Sequence, residues 1–173
     1  MSRINAGLYS SDAHDWMTPP DFIENLLDFI GIDKFDLDPC CTQFNIPAHT
    51  HFTEEEDGLS KPWFGTVYMN PPYGNQLKLW VKKAYEESLR GVKVWGLIPA
   101  RPDTRYWHDY VFTNNSFVFF LQGRLKFLKD GVADGTAPFP TALVYWAKGA
   151  QVTGAAMTGV SPLTGTVVVR KRV

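Results

Sequence analysis

The stretch Tyr68-Met69-Asn70-Pro71-Pro72-Tyr73-Gly74 combines residue types that could do chemistry on an amino group. An apolar run that predicts a buried strand, residues 66–69, ends abruptly at two consecutive prolines. Each proline fixes φ near about −65° and has no N–H, so the carbonyl groups of the loop and the Asn70 side chain can face outward as fixed acceptors. Such a loop could accept both N–H groups of one amine.

An amine attached to an aromatic ring is a poor nucleophile, because its lone pair is delocalised into the ring. Asn-Pro-Pro-Tyr after an apolar strand resembles the catalytic motif of amino-group methyltransferases, which implies that two fixed acceptors hold the nitrogen pyramidal and aim it at an electrophilic methyl group. A sulfonium methyl is already activated, so orientation would supply most of the acceleration, up to about 7–11 kcal/mol. The alternative is that residues 70–73 form an ordinary β-turn with proline at its second position.

Composition indicates one folded, soluble domain. The chain has 173 residues, 45% hydrophobic and 20% charged, with a net charge of −1. It contains no run of 18 apolar residues and no basic N-terminal region followed by an apolar one, so we expect neither a membrane span nor a secretory signal. The adjacent pair Cys40-Cys41 makes a structural disulfide improbable and predicts a cytoplasmic protein.

Hydrophobic periodicity predicts an α/β fold whose sheet is mostly parallel, with an antiparallel pair near the C-terminus. We expect residues 1–15 to be a flexible lead-in, residues 16–148 the catalytic domain, and residues 149–173 an edge strand or tail. Thr18 and Asp21 suit the capping box of a first helix that ends at Gly31. The predicted strands are 35–40, 66–69, 92–98, 117–121, 125–127, 141–146 and 167–169, and further helices are predicted over 77–90 and 103–110.

Asp38 is a second candidate site residue, since it comes at the carboxyl end of the first predicted strand. Ligands of open α/β sheets bind outside the carboxyl ends of strands, although an Asx-turn would explain this residue too. Residues 42–63 read as a loop, in which His49 and His51 precede several carboxylates. We expect no metal there, because no second Cys/His pair follows at a zinc-site spacing and the carboxylates do not fit a calcium loop.

Several short stretches occur in one order along residues 14–148, and together they resemble the phage-type DNA N-6-adenine-methyltransferase (Dam) family. They are Trp16-Met17-Thr18-Pro19, Asp36-Leu37-Asp38-Pro39-Cys40, Asp57-Gly58-Leu59 with Trp63, Asn70-Pro71-Pro72-Tyr73, and the segments 97–101, 123–127 and 141–146. The resemblance implies a compact Rossmann-like fold that depends on S-adenosyl-methionine and methylates the 6-amino group of adenine in DNA. It also implies a phage or prophage protein of a bacterial host, in the setting of restriction and modification.

The resemblance also assigns residue roles. Asn70 and Pro71 would hold the amine, Pro72 would stiffen the loop, and the face of the Tyr73 ring, not its hydroxyl, would stack on the adenine. The residues that would meet the cofactor are Trp16, Thr18, Pro19, Asp38, Pro39, Cys40 and Asp57. One departure concerns the turn after the first strand, which is Gly-rich in methyltransferases and here reads Pro39-Cys40-Cys41-Thr42-Gln43.

A duplex hides the adenine amine in the base stack, so the base must be flipped out while the protein grips the flanking phosphates. Four cations follow predicted strand ends and are our candidates for double-stranded DNA: Arg101, Arg105, Arg124 and Lys126. Short sequence readout would involve residues 101–110 and 123–140. The same loop chemistry also suits an enzyme for RNA guanine or protein glutamine, and a non-catalytic DNA-binding module is a further alternative.

Overall fold

The computed structural model describes residues 16–129, 132–133, 136–150 and 166–167. The predicted lead-in 1–15 and most of the predicted tail therefore lie outside the described residues. The helices are α1 (Pro20–Ile30) and α2 (Leu77–Leu89), and a single π-helical turn covers Trp107–Val111. The strands are β1 (Phe35–Asp38), β2 (Ala48–His51), β3 (Thr66–Met69), β4 (Lys93–Pro99), β5 (Ser116–Phe120), β6 (Leu128–Lys129), β7 (Val132–Ala133), β8 (Thr141–Trp146) and β9 (Thr166–Val167).

Among the described residues, seven strands form one sheet in the order β2-β1-β3-β4-β8-β5-β9, and β6 pairs with β7 in a separate two-stranded sheet. Neighbouring strands from β2 to β4 pair in parallel. β8 is inserted between β4 and β5 and runs antiparallel to both. This architecture confirms the predicted α/β, Rossmann-like class, and it brings the carboxyl ends of β1, β2, β3 and β4 to one edge of the sheet.

The two helices pack against opposite faces of the sheet. Successive side chains of a strand point to opposite faces, so each strand contributes to both cores. Val67 and Val94 pack in a core with α2, which contributes Trp80 and Ala84. Tyr68, which follows Val67 in β3, points to the other face, where it packs in a core with α1. Within the described residues no helix is long and apolar enough to cross a membrane.

The start of α1 differs from the prediction. Pro19, not Thr18, occupies the position before the helix, and no side chain caps it, so the predicted capping box is wrong. Thr18 is buried, and its hydroxyl lies 2.8 Å from the hydroxyl of Tyr68. A buried tyrosine hydroxyl needs a hydrogen-bond partner, so Thr18 bonds to the sheet instead of to its own helix.

The segment 42–63 is not the continuous loop that we predicted, because β2 lies within it. β2 is four residues long and mostly polar, so its sequence lacks the apolar alternation that marks a strand. It pairs with β1 in a register that places His51 beside Asp38. Three smaller differences remain. Where a helix was predicted over 103–110, the structure has the π-helical turn Trp107–Val111, and the strand predicted over 125–127 is observed at Leu128–Lys129. The last strand, predicted over 167–169, is described over Thr166–Val167, where it pairs with β5 at the sheet edge.

Candidate active site

Asn70 follows β3 directly, and hydrogen bonds at both ends fix its carboxamide. Nδ2 donates to the backbone oxygen of Trp16 at 2.7 Å, and Oδ1 accepts from the Tyr73 hydroxyl at 2.7 Å. A backbone carbonyl can only accept a hydrogen bond, so the Asn70 Nδ2 must face the Trp16 oxygen. The Asn70 Oδ1 therefore faces the Tyr73 hydroxyl. An amide oxygen has two lone pairs, so Oδ1 can still accept one further hydrogen bond.

Tyr73 fastens this arrangement to the sheet. Its hydroxyl is also 3.0 Å from the backbone oxygen of Leu97 in β4. Burial raises the pKa of Tyr73 well above its ordinary value, so the hydroxyl keeps its proton and remains a donor. One proton thus faces two acceptors, one on the loop and one on the neighbouring strand.

Four rings pack against one another, and we call them the aromatic cluster: Trp16, Tyr73, Phe127 and Phe139. Trp16 stacks on Phe127 and Phe139 at centroid distances of 5.4 and 5.2 Å. The Tyr73 ring meets each of the other three nearly edge-on. Two backbone hydrogen bonds between Met17 and Leu128, of 2.9 and 3.0 Å, hold the segment that carries Trp16 against β6.

Asp38 ends β1, and its side chain is only 3% exposed. Its Oδ1 accepts a hydrogen bond from the Cys40 N–H at 3.2 Å, which is the hydrogen bond of an Asx-turn. Burial raises the pKa of Asp38 to about 6, an effect that the Cys40 hydrogen bond and nearby His51 oppose. Asp38 is therefore mostly ionised at neutral pH although it is buried.

Cys41 and His51 lie beside Asp38, and we call these three residues the Asp-Cys-His group. Their potential ligand atoms all lie within 4.8 Å of one another. Spacing along the chain could not reveal the group, because Asp38 and His51 end different strands and only the parallel pairing of β1 with β2 brings them together. Burial also raises the pKa of the Cys41 thiol, and Asp38 adds to the effect.

One cleft is lined by most of the predicted cofactor residues together with two residues of the loop that follows β3. Its lining residues are Trp16, Met17, Thr18, Asp38, Cys40, Thr42, Asn45, Ile46, Asn70 and Pro72. Four further lining residues were not predicted: Met17, Thr42, Asn45 and Ile46. For the last three, the position shortly after the end of β1 is the one signal in the sequence that could have suggested them. Pro19, Pro39, Pro71 and Tyr73 lie next to lining residues in the chain but do not line this cleft.

Asp57 does not line the cleft either. It is exposed, and its Oδ1 accepts a hydrogen bond from the Leu59 N–H at 3.2 Å within a surface turn. Gly58 lies close to the turn that follows β1, since a Cβ atom there would lie 1.9 Å from the Pro39 oxygen. Trp63 donates from Nε1 to the Gly58 oxygen at 2.8 Å. This motif thus supports the turn that follows Asp38.

The four predicted DNA-binding cations have different surroundings. Arg101 lies with its guanidinium carbon 5.7 Å from the Phe139 ring centroid, beside the aromatic cluster. Arg105 is exposed and forms an ion pair with Asp109 at 3.3 Å. Arg124 donates to a backbone oxygen at 3.4 Å, and Lys126 is exposed. Arg101 is thus the cation that the fold brings to the aromatic cluster.

The mostly parallel sheet with its antiparallel pair is consistent with a Rossmann-like methyltransferase fold. The family model for DNA N-6-adenine-methyltransferase (Dam) matches residues 6–149. The chain therefore belongs to the Dam family of DNA N-6-adenine-methyltransferases. A search of curated proteins found no match.

Proposed function

We propose that this protein transfers a methyl group from S-adenosyl-methionine to the 6-amino group of a flipped adenine at specific sites in DNA. The observation that carries this proposal is the fixed Asn70 carboxamide, which lines the same cleft as the carboxylate of Asp38. Family membership supports adenine in DNA as the substrate.

The amine would be held by acceptors that are already in place. Asn70 has one lone pair of Oδ1 free, and the carbonyl of Pro71 would accept the second N–H. Pro71 and Pro72 restrict the loop, so little conformational freedom is lost when the amine arrives. Holding the nitrogen in this way requires no strong base, which agrees with a network that consists of an amide, two backbone carbonyls and a hydroxyl that keeps its proton.

S-adenosyl-methionine would supply the methyl group on a positively charged sulfonium. The cleft fits such a cofactor chemically, because the Asp38 carboxylate can meet ribose hydroxyls or an ammonium group at a strand's carboxyl end. The cofactor site would be lined by Trp16, Thr18 and Cys40. Pro19 and Pro39, which are adjacent to these residues in the chain, would restrict their backbone. Asp57 would also contact the cofactor, although it does not line the cleft.

The DNA would bind across the same edge of the sheet. Arg101, Arg105, Arg124 and Lys126 would contact phosphates, and the Tyr73 ring would stack on the extruded adenine. In the structure that ring is packed edge-on against Trp16 and Phe139, so these neighbours would have to adjust when a base enters.

Methyl transfer from labelled S-adenosyl-methionine tests the proposal. The acceptors are a duplex with adenines in varied contexts, a duplex of equal length without adenine, a structured RNA and a glutamine-containing peptide. We expect label only in the adenine duplex, and nucleosides from that DNA should contain N6-methyladenine. Label in RNA or peptide alone would show that the substrate is RNA or protein and not DNA. Binding of cofactor and DNA without transfer to any acceptor would indicate a non-catalytic module.

A further inference from the structure

The Asp-Cys-His group offers three different donor atoms at one point, namely a carboxylate oxygen, a sulfur and an imidazole nitrogen. These atoms are within 4.8 Å of one another. Zinc binds oxygen, nitrogen and sulfur ligands at about 2.0–2.3 Å in a tetrahedral arrangement, so two of its ligand atoms lie about 3.3–3.8 Å apart. Rotations of the three side chains that bring their donor atoms closer together by about 1 Å would let them share one ion.

One ring nitrogen of His51 has a backbone partner, which leaves the other nitrogen for a metal ion. The His51 Nε2 lies 2.9 Å from the backbone oxygen of Ile46, and because a carbonyl only accepts, Nε2 must carry the proton. In the neutral form of the ring, the lone pair is then on Nδ1. Metal-binding histidines commonly donate their other N–H to a backbone carbonyl, which fixes the tautomer.

The thiol of Cys41 is oriented by a strained residue. Phe44 has a φ of 52°, a left-handed conformation that is unfavourable for a bulky side chain. In this conformation its N–H donates to Cys41 Sγ at 3.2 Å, while its ring lies 5.1 Å from the His51 ring. Backbone strain of this kind concentrates at functional sites, and here it supports two of the three donors.

We propose that Asp38, Cys41 and His51 form a binding site for one thiophilic divalent cation of the zinc class. The sulfur and nitrogen donors favour zinc over magnesium or calcium, which prefer oxygen. Binding replaces the S–H bond of Cys41 by a metal–sulfur bond and releases that proton to solvent. The thiolate and the carboxylate then balance the two positive charges of the ion. With three protein ligands, a fourth position is open to water or to a ligand from the cleft that Asp38 lines.

Cobalt(II) is the first probe, because a thiolate ligand gives a sulfur-to-cobalt charge-transfer absorption. Metal-free wild-type protein should bind one equivalent with that absorption, and zinc should displace the cobalt. Calorimetry in buffers of different ionisation enthalpy should show about one proton released per zinc at neutral pH. Absence of saturable binding by both metals in folded wild-type protein would overturn the proposal. Since neither DNA nor S-adenosyl-methionine is present, this result is independent of the proposed methyl transfer.

Matched variants locate the ligands. Cys41→Ser should lose the charge-transfer absorption and His51→Gln should lose saturable binding, whereas Cys40→Ser and His49→Gln should keep both. Each control removes the same functional group within two residues of a proposed ligand. The thermal unfolding midpoint of every metal-free variant shows whether it is folded, and His51→Gln decides if Cys41→Ser does not fold. A charge-transfer band that persists in Cys41→Ser and disappears in Cys40→Ser would overturn the assignment.

Discussion

The loop around Asn70 and the turn around Asp38 lie at the carboxyl ends of neighbouring parallel strands and line one cleft, yet they hold their functional groups in opposite ways. Asn70 is a neutral amide whose Nδ2 and Oδ1 each have a fixed partner. Asp38 is an ionisable group beside two others, Cys41 and His51. The loop fixes the orientation of the Asn70 carboxamide, and the turn holds the ionisable Asp38 carboxyl group in a buried position.

This difference separates two tasks within one cleft. A neutral acceptor that two hydrogen bonds fix can position an amine without taking its proton. A buried carboxylate with a pKa of about 6 can attract a cation or bind hydroxyl groups. Substitutions in the two regions should therefore change different measured quantities, turnover in one and cofactor affinity in the other.

The largest expected effect is that of Asn70→Ala. Losing one preorganised polar contact to the reacting group should lower turnover by about 10²–10³-fold, which corresponds to about 2.7–4 kcal/mol in the barrier. Affinity for S-adenosyl-methionine should stay nearly unchanged. Labelled methyl transfer measures the first quantity and calorimetry the second, with the exposed Asn75→Ala as the control. Turnover close to the wild-type value would remove Asn70 from the proposed role.

Asp38→Asn should show the reverse pattern. The variant keeps the volume and an acceptor for the Cys40 N–H but loses the charge, so cofactor binding should weaken by about 1.5–3 kcal/mol. Equilibrium dialysis with labelled cofactor, in the presence of a chelator, measures this loss. Asp33→Asn, an exposed change just before β1, is the control. Unchanged cofactor affinity would leave Asp38 with only its part in the turn.

Gly58→Ala tests whether the Asp57-Gly58 motif supports the Asp38 turn. An added Cβ would lie 1.9 Å from the Pro39 oxygen, so the backbone must move. We expect a loss of about 1–3 kcal/mol in the free energy of unfolding, measured by denaturant titration. Gly74→Ala should have little effect, because nothing lies within 4 Å of the position that its added Cβ would occupy. Equal stability of the two variants would contradict the close contact.

Tyr73→Phe sharpens the account of the Asn70 side. The resemblance to the family implied that the ring face alone matters, but the hydroxyl bonds to Asn70 Oδ1, so we expect turnover to fall by about 0.5–1.5 kcal/mol in the barrier. Tyr73→Ala, which also removes the ring that would stack on the base, should lose about 1–3 kcal/mol in kcat/KM.

A double-mutant cycle distinguishes orientation of Asn70 from general destabilisation. If the hydroxyl acts through Asn70, Tyr73→Phe should cause no further loss of turnover in Asn70→Ala protein. Tyr145→Phe, which removes a hydroxyl from β8, is the control. Full additivity of the two changes would show that the hydroxyl acts elsewhere.

The smallest effect is expected for Arg101→Ala, which should weaken binding to all DNA sequences alike. Loss of one phosphate contact should reduce the slope of log affinity against log salt by about 1, measured by fluorescence anisotropy. Cofactor affinity should not change. The control is Arg90→Ala at the end of α2, where the arginine lies 3.6 Å from Glu87. An unchanged salt dependence in Arg101→Ala would remove Arg101 from the DNA interface.

Much of the architecture was predictable because its signals are local. The strand Thr66–Met69 and the strand Thr141–Trp146 were predicted at their observed bounds, since each is a continuous apolar run that ends at a turn signal. β2 was missed because a short polar strand derives its pairing from the neighbouring strand. The cap of α1 was assigned wrongly because Thr18 has a better partner in Tyr68, which is distant in sequence.

By itself the sequence determined the α/β class, the family, and the placement of Asn70 and Asp38 at the ends of strands, because these depend on residue types and spacing within short segments. Only the tertiary structure decided what surrounds those two residues. The Trp16 carbonyl is 54 positions from Asn70, and His51 meets Asp38 only through the pairing of two parallel strands. Contacts between segments so far apart depend on packing and strand register, which no short stretch of sequence encodes.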